Sequence, residues 1–212
     1  MVPDWEEALT LQNLIMLFAG LGTWTVALIA LFGDRIRGRW NRPNLVVELV
    51  HDGGELEPQT FRRDEGGVTR QRTRDARYYR LRITNTNRRG PAHEVHVVIE
   101  SITDLSGGVV PILERRGPIP LRWEHAEAFP AVRNVGSAVV ADFLSVTSDR
   151  TLALQTVPST RDYGLGADLL VTVVARSIER DSAPARLKVV WDGDWHIGET
   201  EMKHHLKVTM VD

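Results

Sequence analysis

The sequence predicts a mainly β protein, in which a single N-terminal transmembrane α-helix precedes one antiparallel β-sandwich domain, Ig-like in type, or a β-barrel. Three observations support this prediction. Residues 8–33 contain no Asp, Glu, Lys, Arg or His. From residue 78 onward, apolar and polar side chains alternate in several short segments, and no segment has a convincing 3.6-residue amphipathic repeat. Nine or ten short strands separated by turn residues are typical of sandwiches and barrels, and we favour the sandwich.

The predicted organisation has four parts: a short extracytoplasmic N-terminus (1–10), a transmembrane helix (11–32), a basic linker (33–43) and one cytosolic β-domain (44–212). A segment of about 170 residues fits one domain with a sizeable core. The chain is 42% hydrophobic and 25% charged, which is a globular balance. It has 0 cysteines, which excludes disulfides, thiolate metal sites and cysteine nucleophiles.

A helix over residues 11–32 rises about 1.5 Å per residue and therefore spans a hydrocarbon core of roughly 30 Å. The ionisable side chains that precede it are all acidic, whereas a cluster of arginines follows it. Because positive flanks stay on the cytoplasmic side, we expect the β-domain inside the cell, at the inner (plasma) membrane. A cleavable signal peptide is the main alternative, but the segment lacks a basic n-region and a small-residue cleavage site. The orienting arginines are Arg35, Arg37, Arg39 and Arg42.

Small residues recur along this predicted helix. Ala19, Thr23 and Ala27 are spaced by four residues, and Ala30 falls near the same face. Small residues at this spacing let helix backbones approach closely in lipid. We therefore expect this face to associate with a second copy of the chain or with a partner membrane protein.

The β-domain begins with a predicted strand at 45–51, followed by a polar segment, 52–76, that indicates a long loop or a mobile hairpin. Strands are then predicted at 78–84 and 94–102, where apolar side chains occupy every second position. We expect these two strands to pair as a hairpin. Shorter or later strands are predicted at 109–113, 121–125, 137–146, 152–157, 168–178, 186–191 and 205–211.

The strongest compositional feature is a set of ten arginines between residues 62 and 89. Three acidic residues lie among them, so the set carries a net charge of +7 (10 − 3) in a chain whose formal charge is −2. Guanidinium binds phosphate bidentately, so the set predicts an anionic ligand or anionic lipid as partner; nucleic acid is not expected. The alternative is a solvated face. The set consists of Arg62, Arg63, Arg70, Arg72, Arg74, Arg77, Arg80, Arg82, Arg88 and Arg89, of which Arg80 and Arg82 are expected to share the exposed face of one strand.

The histidines raise the question of a metal site. Asp192, Asp194 and His196 could converge from one turn, but Asp-Gly favours a hairpin turn here, with the flanking tryptophans covering the end of the core. The adjacent His204 and His205 are expected at the start of a strand, where they point to opposite faces. We therefore predict no metal and no cofactor.

No catalytic residue is predicted, because the chain has no H-E-x-x-H motif, Walker loop or nucleophile elbow. The sequence thus favours a non-enzymatic binding or signalling module that oligomerises through its transmembrane helix. In layout, an anchor followed by a β-domain, the chain resembles the membrane-anchored β-barrel effectors of bacterial antiphage signalling systems. That resemblance implies an alternative function, in which a nucleotide second messenger binds the β-domain and drives oligomerisation and membrane damage. A third interpretation reverses the topology and gives an envelope-facing adhesion module.

Overall fold

A computed structural model describes residues 16, 18–27, 42–65, 68–87, 90–106, 118–124, 132–157, 161–163 and 166–211. Two compact units are distinguished, Met1–Arg42 and Pro43–Asp212, and each is considered by itself.

In the first unit, residues 18–27 are helical and fall within the predicted transmembrane helix. Their large apolar side chains are exposed, with Phe18 at 68% and Trp24 at 71%. Within the described residues, no helix combines the length and the apolar character needed to cross a bilayer. The other parts of the predicted span, 11–15, 17 and 28–32, lie outside the described residues. Outside them too lie Ala30, Arg35, Arg37 and Arg39.

The second unit contains two antiparallel sheets. The strands of the first sheet are β1 (Leu45–Leu49), β2 (Glu55–Glu65), β3 (Val68–Asn85), β6 (Arg122–Trp123), β8 (Ala138–Thr147), β9 (Leu152–Leu154) and β10 (Arg161–Tyr163). This sheet is organised around the long strand β3. On one side of β3, β2 pairs with its N-terminal part and β1 with its C-terminal part; on the other side lies β8, followed by β9 and β10. Strand β6 also pairs with β8.

The strands of the second sheet are β4 (Ala92–Asp104), β5 (Ile119–Pro120), β7 (Arg133–Val135), β11 (Ala167–Arg176), β12 (Ala185–Trp191) and β13 (Leu206–Val211). Their order in the sheet is β13-β12-β11-β4-β5, and β7 also pairs with β4. A helix, Glu199–His205, lies in the connection between β12 and β13.

Both sheets contribute to one hydrophobic core. Leu81 and Phe143 from the first sheet, and Val171 and Leu187 from the second, are 0% exposed members of the same buried cluster. The predicted alternation along β3 is confirmed, because Leu81 and its alternate neighbours are buried on the core side. The mainly β, sandwich-like architecture of antiparallel sheets is therefore as the sequence predicts.

The predicted pairing of strands 78–84 and 94–102 is wrong, because β3 and β4 belong to different sheets. Asn85, only 3% exposed, holds the corner between them. Its Oδ1 accepts hydrogen bonds from the backbone N–H groups of Asn44 (3.2 Å) and Asn87 (3.1 Å), and its Nδ2 donates to the Gly90 carbonyl (2.8 Å). Alternation identifies the buried face of a strand but not its neighbour, and this corner turns the chain into the other sheet.

The polar segment 52–76 forms a hairpin and not a loop, because β2 and β3 pair along eleven register positions from Glu55↔Tyr78 to Glu65↔Val68. The predicted strands at 45–51, 137–146, 168–178 and 186–191 are confirmed with small changes at their ends, whereas only the first half of the strand predicted at 152–157 forms β9. The strand predicted at 109–113 lies outside the described residues.

The connection from β12 to β13 differs most from prediction. A tight Asp-Gly hairpin was expected, but the chain runs through residues 192–198 and the helix Glu199–His205 before β13 begins. His204 and His205 therefore end a helix and do not start a strand. The helix has acidic residues in its first turn and basic residues in its last, which complements its dipole, but it is too short to show a periodic repeat. The expectation that Trp191 and Trp195 cover the core is met: Trp191 is buried and Trp195 packs against the core.

Candidate functional site

The ten arginines of the predicted anion-binding set occupy different environments. Arg62, Arg63 and Arg70 have described backbone positions in β2 and β3, and Arg88 and Arg89 lie outside the described residues. The other five, all on β3, have described side chains: Arg72, Arg74, Arg77, Arg80 and Arg82.

The prediction that Arg80 is exposed is wrong, because this residue is only 4% exposed. Its Nε donates to Asp142 Oδ1 (3.0 Å) and its Nη2 to Glu57 (2.8 Å). Its Nη1 contacts Glu55, and lies 3.3 Å from Glu124. Four carboxylates thus surround one guanidinium, an arrangement that does not favour a further anion.

Arg80 does point away from the core, as the alternation predicts, but neighbouring strands cover it. Glu55 and Glu57 lie on β2 and Asp142 lies on β8, so the cover comes from residues distant in sequence. Burial by itself lowers the pKa of Arg80, but hydrogen bonds to Asp142 and Glu57 raise it above its usual value. Burial raises the pKa of Asp142, partly opposed by the hydrogen bond from Arg80.

Arg77 is also buried, at 3% exposed, and its side chain holds two loops together. Its Nη1 donates to the carbonyl oxygens of Gly53 and Gly54, both at 3.1 Å, and its Nη2 donates to the Ile197 carbonyl at 2.6 Å. Gly54 has a φ of 65°, and a Cβ there would lie 2.9 Å from Arg77 Cγ. This arginine connects the β2 entrance to the connection before the short helix.

Arg82 is exposed, as expected, and lies opposite Glu48 in the β1–β3 register. In the helical segment, Thr23 Oγ1 donates to the Ala19 carbonyl (2.9 Å), which links two members of the predicted packing face. Such a back-bond satisfies the hydroxyl within its own helix. Arg42 is exposed.

The outer part of the β2–β3 hairpin forms a separate two-stranded ribbon. Residues 59–65 of β2 and 68–74 of β3, hereafter the arm, pair with each other, whereas β3 pairs with β8 from Ala76 onward. At its base, Arg74 forms an ion pair with Asp149, donates through Nε to Gln59 (2.9 Å), and lies over the Phe61 ring at 4.8 Å. The arm is thus tied to the sheet at one end.

The arm separates its charges between its two sides. Directly opposed residues of an antiparallel pair share a side, as do alternate residues along a strand. The register therefore places positions 63, 70, 72 and 74 on one side, together with Glu65, for a net charge of +3 (4 − 1). The other side carries one arginine and one aspartate. Sequence spacing could show the alternation along β3 but not the pairing that adds Arg63.

Two cavities of the β-domain contain arginines in their lining. One, of about 560 Å³, is lined by Arg77 but also by Glu55 and Glu199, whose carboxylates do not favour an anionic nucleotide. The other, of about 500 Å³, lies along β1 and β13 and includes Arg180, Arg186 and Asp181. Arg180 and Arg186 were not in the predicted set.

Neither a protein-family model, nor a curated protein, nor a solved structure matches this chain. The candidate function therefore rests on the geometry above and on the sequence.

Proposed function

We propose that this chain is a single-pass protein of the inner (plasma) membrane and a non-enzymatic binding module. In this proposal the arm docks on the anionic surface of the membrane in which the N-terminal helix is anchored. The observation that carries it is the β2–β3 register, which gathers four arginine positions on one side of the arm.

The anchor is supported by the absence of ionisable residues from 8 to 33 and by the exposed apolar side chains of residues 18–27. Helices that are apolar all round are typical of membrane spans or of buried helices. The arginines after the span orient the β-domain to the cytoplasm, where anionic lipids are concentrated. For the β-domain itself, we propose an Ig-like sandwich. The absence of pairing between β1 and β13 in the described residues supports this choice.

Membrane docking accounts for the charge distribution better than nucleotide gating does. Each arginine near an anionic leaflet contributes about 1 kcal/mol, and the register places several arginine positions on one side of the arm, where they can face one extended surface. Phe61, on the same side of the arm, adds an aromatic ring suited to the interface. By contrast, Arg80 and Arg77, which belong to the sheet and not to the arm, are buried as well as bound by protein oxygens.

Neutralising three arm arginines should abolish docking. For Arg63→Gln, Arg70→Gln and Arg72→Gln combined, a loss of about 3 kcal/mol lowers the ratio of docked to undocked arm about 100-fold. Since the chain has 0 cysteines, Val68→Cys, which pairs with Glu65 on the arginine-rich side of the arm, gives a single site for a spin label. The full chain is reconstituted in vesicles with or without anionic lipid, and the label's exposure to oxygen and to a water-soluble relaxation agent is measured.

The matched control removes the same charge elsewhere, through Arg176→Gln on β11, Arg186→Gln on β12 and Arg180→Gln in the connection between these two strands. It should keep the lipid contact of the label in anionic vesicles, and added salt should weaken that contact. The docking proposal would be contradicted if the label were equally exposed in neutral and anionic vesicles. It would also be contradicted if both triple variants lost the lipid contact of the label to the same extent.

We further propose that the anchor associates through Ala19, Thr23 and Ala27. Replacing all three with Ile should disperse a detergent-solubilised oligomer, because the larger side chains keep the backbones apart. The measurement is mass by light scattering in mild detergent. The control is Leu21→Ile combined with Thr25→Ile, on the opposite side of the helix, and it should leave the mass unchanged. Thr25 is a suitable match for Thr23 because its hydroxyl also donates to the carbonyl four residues earlier, that of Leu21 (2.8 Å). An unchanged mass in the Ala19, Thr23 and Ala27 variant would refute this face.

A further inference from the structure

A cluster of metal-ligand side chains lies where β12 leads into the short helix. One ligand atom each from Asp192, Asp194 and His205 lies within 4.8 Å of the others. The sequence pattern suggested His196 as the third member, but the structure brings His205 to the two aspartates. Two chain segments thus supply the cluster: the loop after β12 and the end of the helix.

Hydrogen bonds shape the loop after β12 and join it to the end of the helix. The Asp194 N–H donates to Asp192 Oδ1 (2.9 Å), and the Asp192 N–H donates to the His205 carbonyl (3.2 Å). Trp191, which is buried in the core, donates through Nε1 to the Asp194 carbonyl (3.1 Å). The ligand-bearing loop is therefore attached to the folded domain and does not need to be ordered by an ion.

The atoms that face one another have the chemistry of an ion site. Asp192 Oδ2 lies 2.8 Å from His205 Nδ1, while Asp192 Oδ1 is occupied by the backbone. Two donors each about 2.1 Å from one ion lie about 3 Å apart at octahedral angles and about 3.4 Å apart at tetrahedral angles, so small side-chain rotations suffice. The His196 ring stacks on His205 with centroids 4.5 Å apart and planes at 12°, which fixes the imidazole orientation.

Charge is also balanced for a divalent cation. The two aspartates supply two carboxylates, which offset a charge of +2. The competing cation is Arg150, whose Nη1 lies 3.4 Å from Asp194; its side chain is 58% exposed, so solvent can accommodate its displacement.

We propose that Asp192, Asp194 and His205 bind a divalent first-row transition ion, with Zn²⁺ as the best fit. Imidazole nitrogen and carboxylate oxygen both bind Zn²⁺, and three protein ligands leave a position that water completes. The ion cross-links the loop after β12 to the end of the short helix, and so stabilises the start of the edge strand β13. This site is independent of membrane docking by the arm.

The test titrates the full chain, without a polyhistidine tag and stripped with EDTA, with Zn²⁺ in a calorimeter and in thermal unfolding. We expect one Zn²⁺ per chain and a raised unfolding midpoint. Asp192→Asn and His205→Gln should abolish both effects. Asp194→Asn should weaken affinity about tenfold or more while preserving the Asp192–His205 contact, so it keeps the test valid if the other variants fold poorly.

The matched control is His204→Gln, the same substitution at the adjacent histidine, which belongs to no such cluster in the described residues. It should retain one bound Zn²⁺. Failure of the unmodified chain to bind Zn²⁺ would overturn the proposal. So would equal binding by His205→Gln and His204→Gln, which would indicate adventitious surface histidines only.

Discussion

Arg80→Met should destabilise the β-domain by about 3 kcal/mol, because it removes the guanidinium that hydrogen-bonds the buried carboxylate of Asp142. Removing one partner of a buried ion pair typically costs about 3–5 kcal/mol. We expect a cost near the lower end of this range. Glu55 and Glu57 are 43% and 37% exposed and can turn toward water, whereas Asp142, at 10%, cannot. The measurement is the free energy of unfolding from urea titration followed by tryptophan fluorescence.

The pH dependence identifies Asp142 as the cause. Burial already raises the pKa of Asp142, and removing Arg80 raises it further. A carboxyl whose folded pKa exceeds its unfolded value stabilises the fold at low pH, and that contribution is lost as pH rises through the folded pKa. The deficit of Arg80→Met should therefore be larger at pH 8 than at pH 5.

Two further variants complete this experiment. Arg82→Met changes an exposed arginine two residues away and should alter the unfolding free energy by less than about 0.5 kcal/mol. Arg80→Met combined with Asp142→Leu should recover much of the loss, because replacing a buried pair by apolar groups is often nearly neutral. If Arg80→Met and Arg82→Met lost equal stability, the buried ion cluster would not be the determinant.

Leu81→Ala, on the core side of the same strand, should cost about 2–5 kcal/mol. Leu81 is 0% exposed within the cluster shared by both sheets, so truncation loses apolar burial and leaves a cavity. Leu105→Ala makes the same chemical change at a residue that is 45% exposed, and should cost less than about 0.5 kcal/mol. Urea titration of both variants gives the comparison, and similar losses would contradict the common core.

What could be predicted from the sequence is what neighbouring residues determine. Alternation in Tyr79, Leu81 and Ile83 identified a half-buried strand, and similar patterns located most strands of the second sheet. The partner of β3 could not be predicted, since the choice between a hairpin and a crossing to the other sheet depends on a corner held by the buried Asn85. The short helix was missed because seven residues with one buried side chain carry no periodic signal.

In the candidate site, too, composition could be read from the sequence, whereas the surroundings of each side chain could not. The excess of arginine was visible in the sequence, but the difference between Arg80 and Arg72 was not. Arg80 is covered by carboxylates from β2 and β8, whereas Arg72 lies in the arm, where β3 has a single neighbour. Likewise, His205 joins Asp192 only because a helix intervenes between them.

The arm has a consequence for how the domain opens. Its backbone hydrogen bonds connect β2 and β3 only to each other, and no described part of the arm contributes to the core cluster. Local unfolding of the arm therefore leaves the core intact and costs less free energy than global unfolding. Slowed amide exchange in residues 59–74, with unchanged exchange in β8 and β11, becomes a direct measure of how tightly the arm is held by whatever it binds.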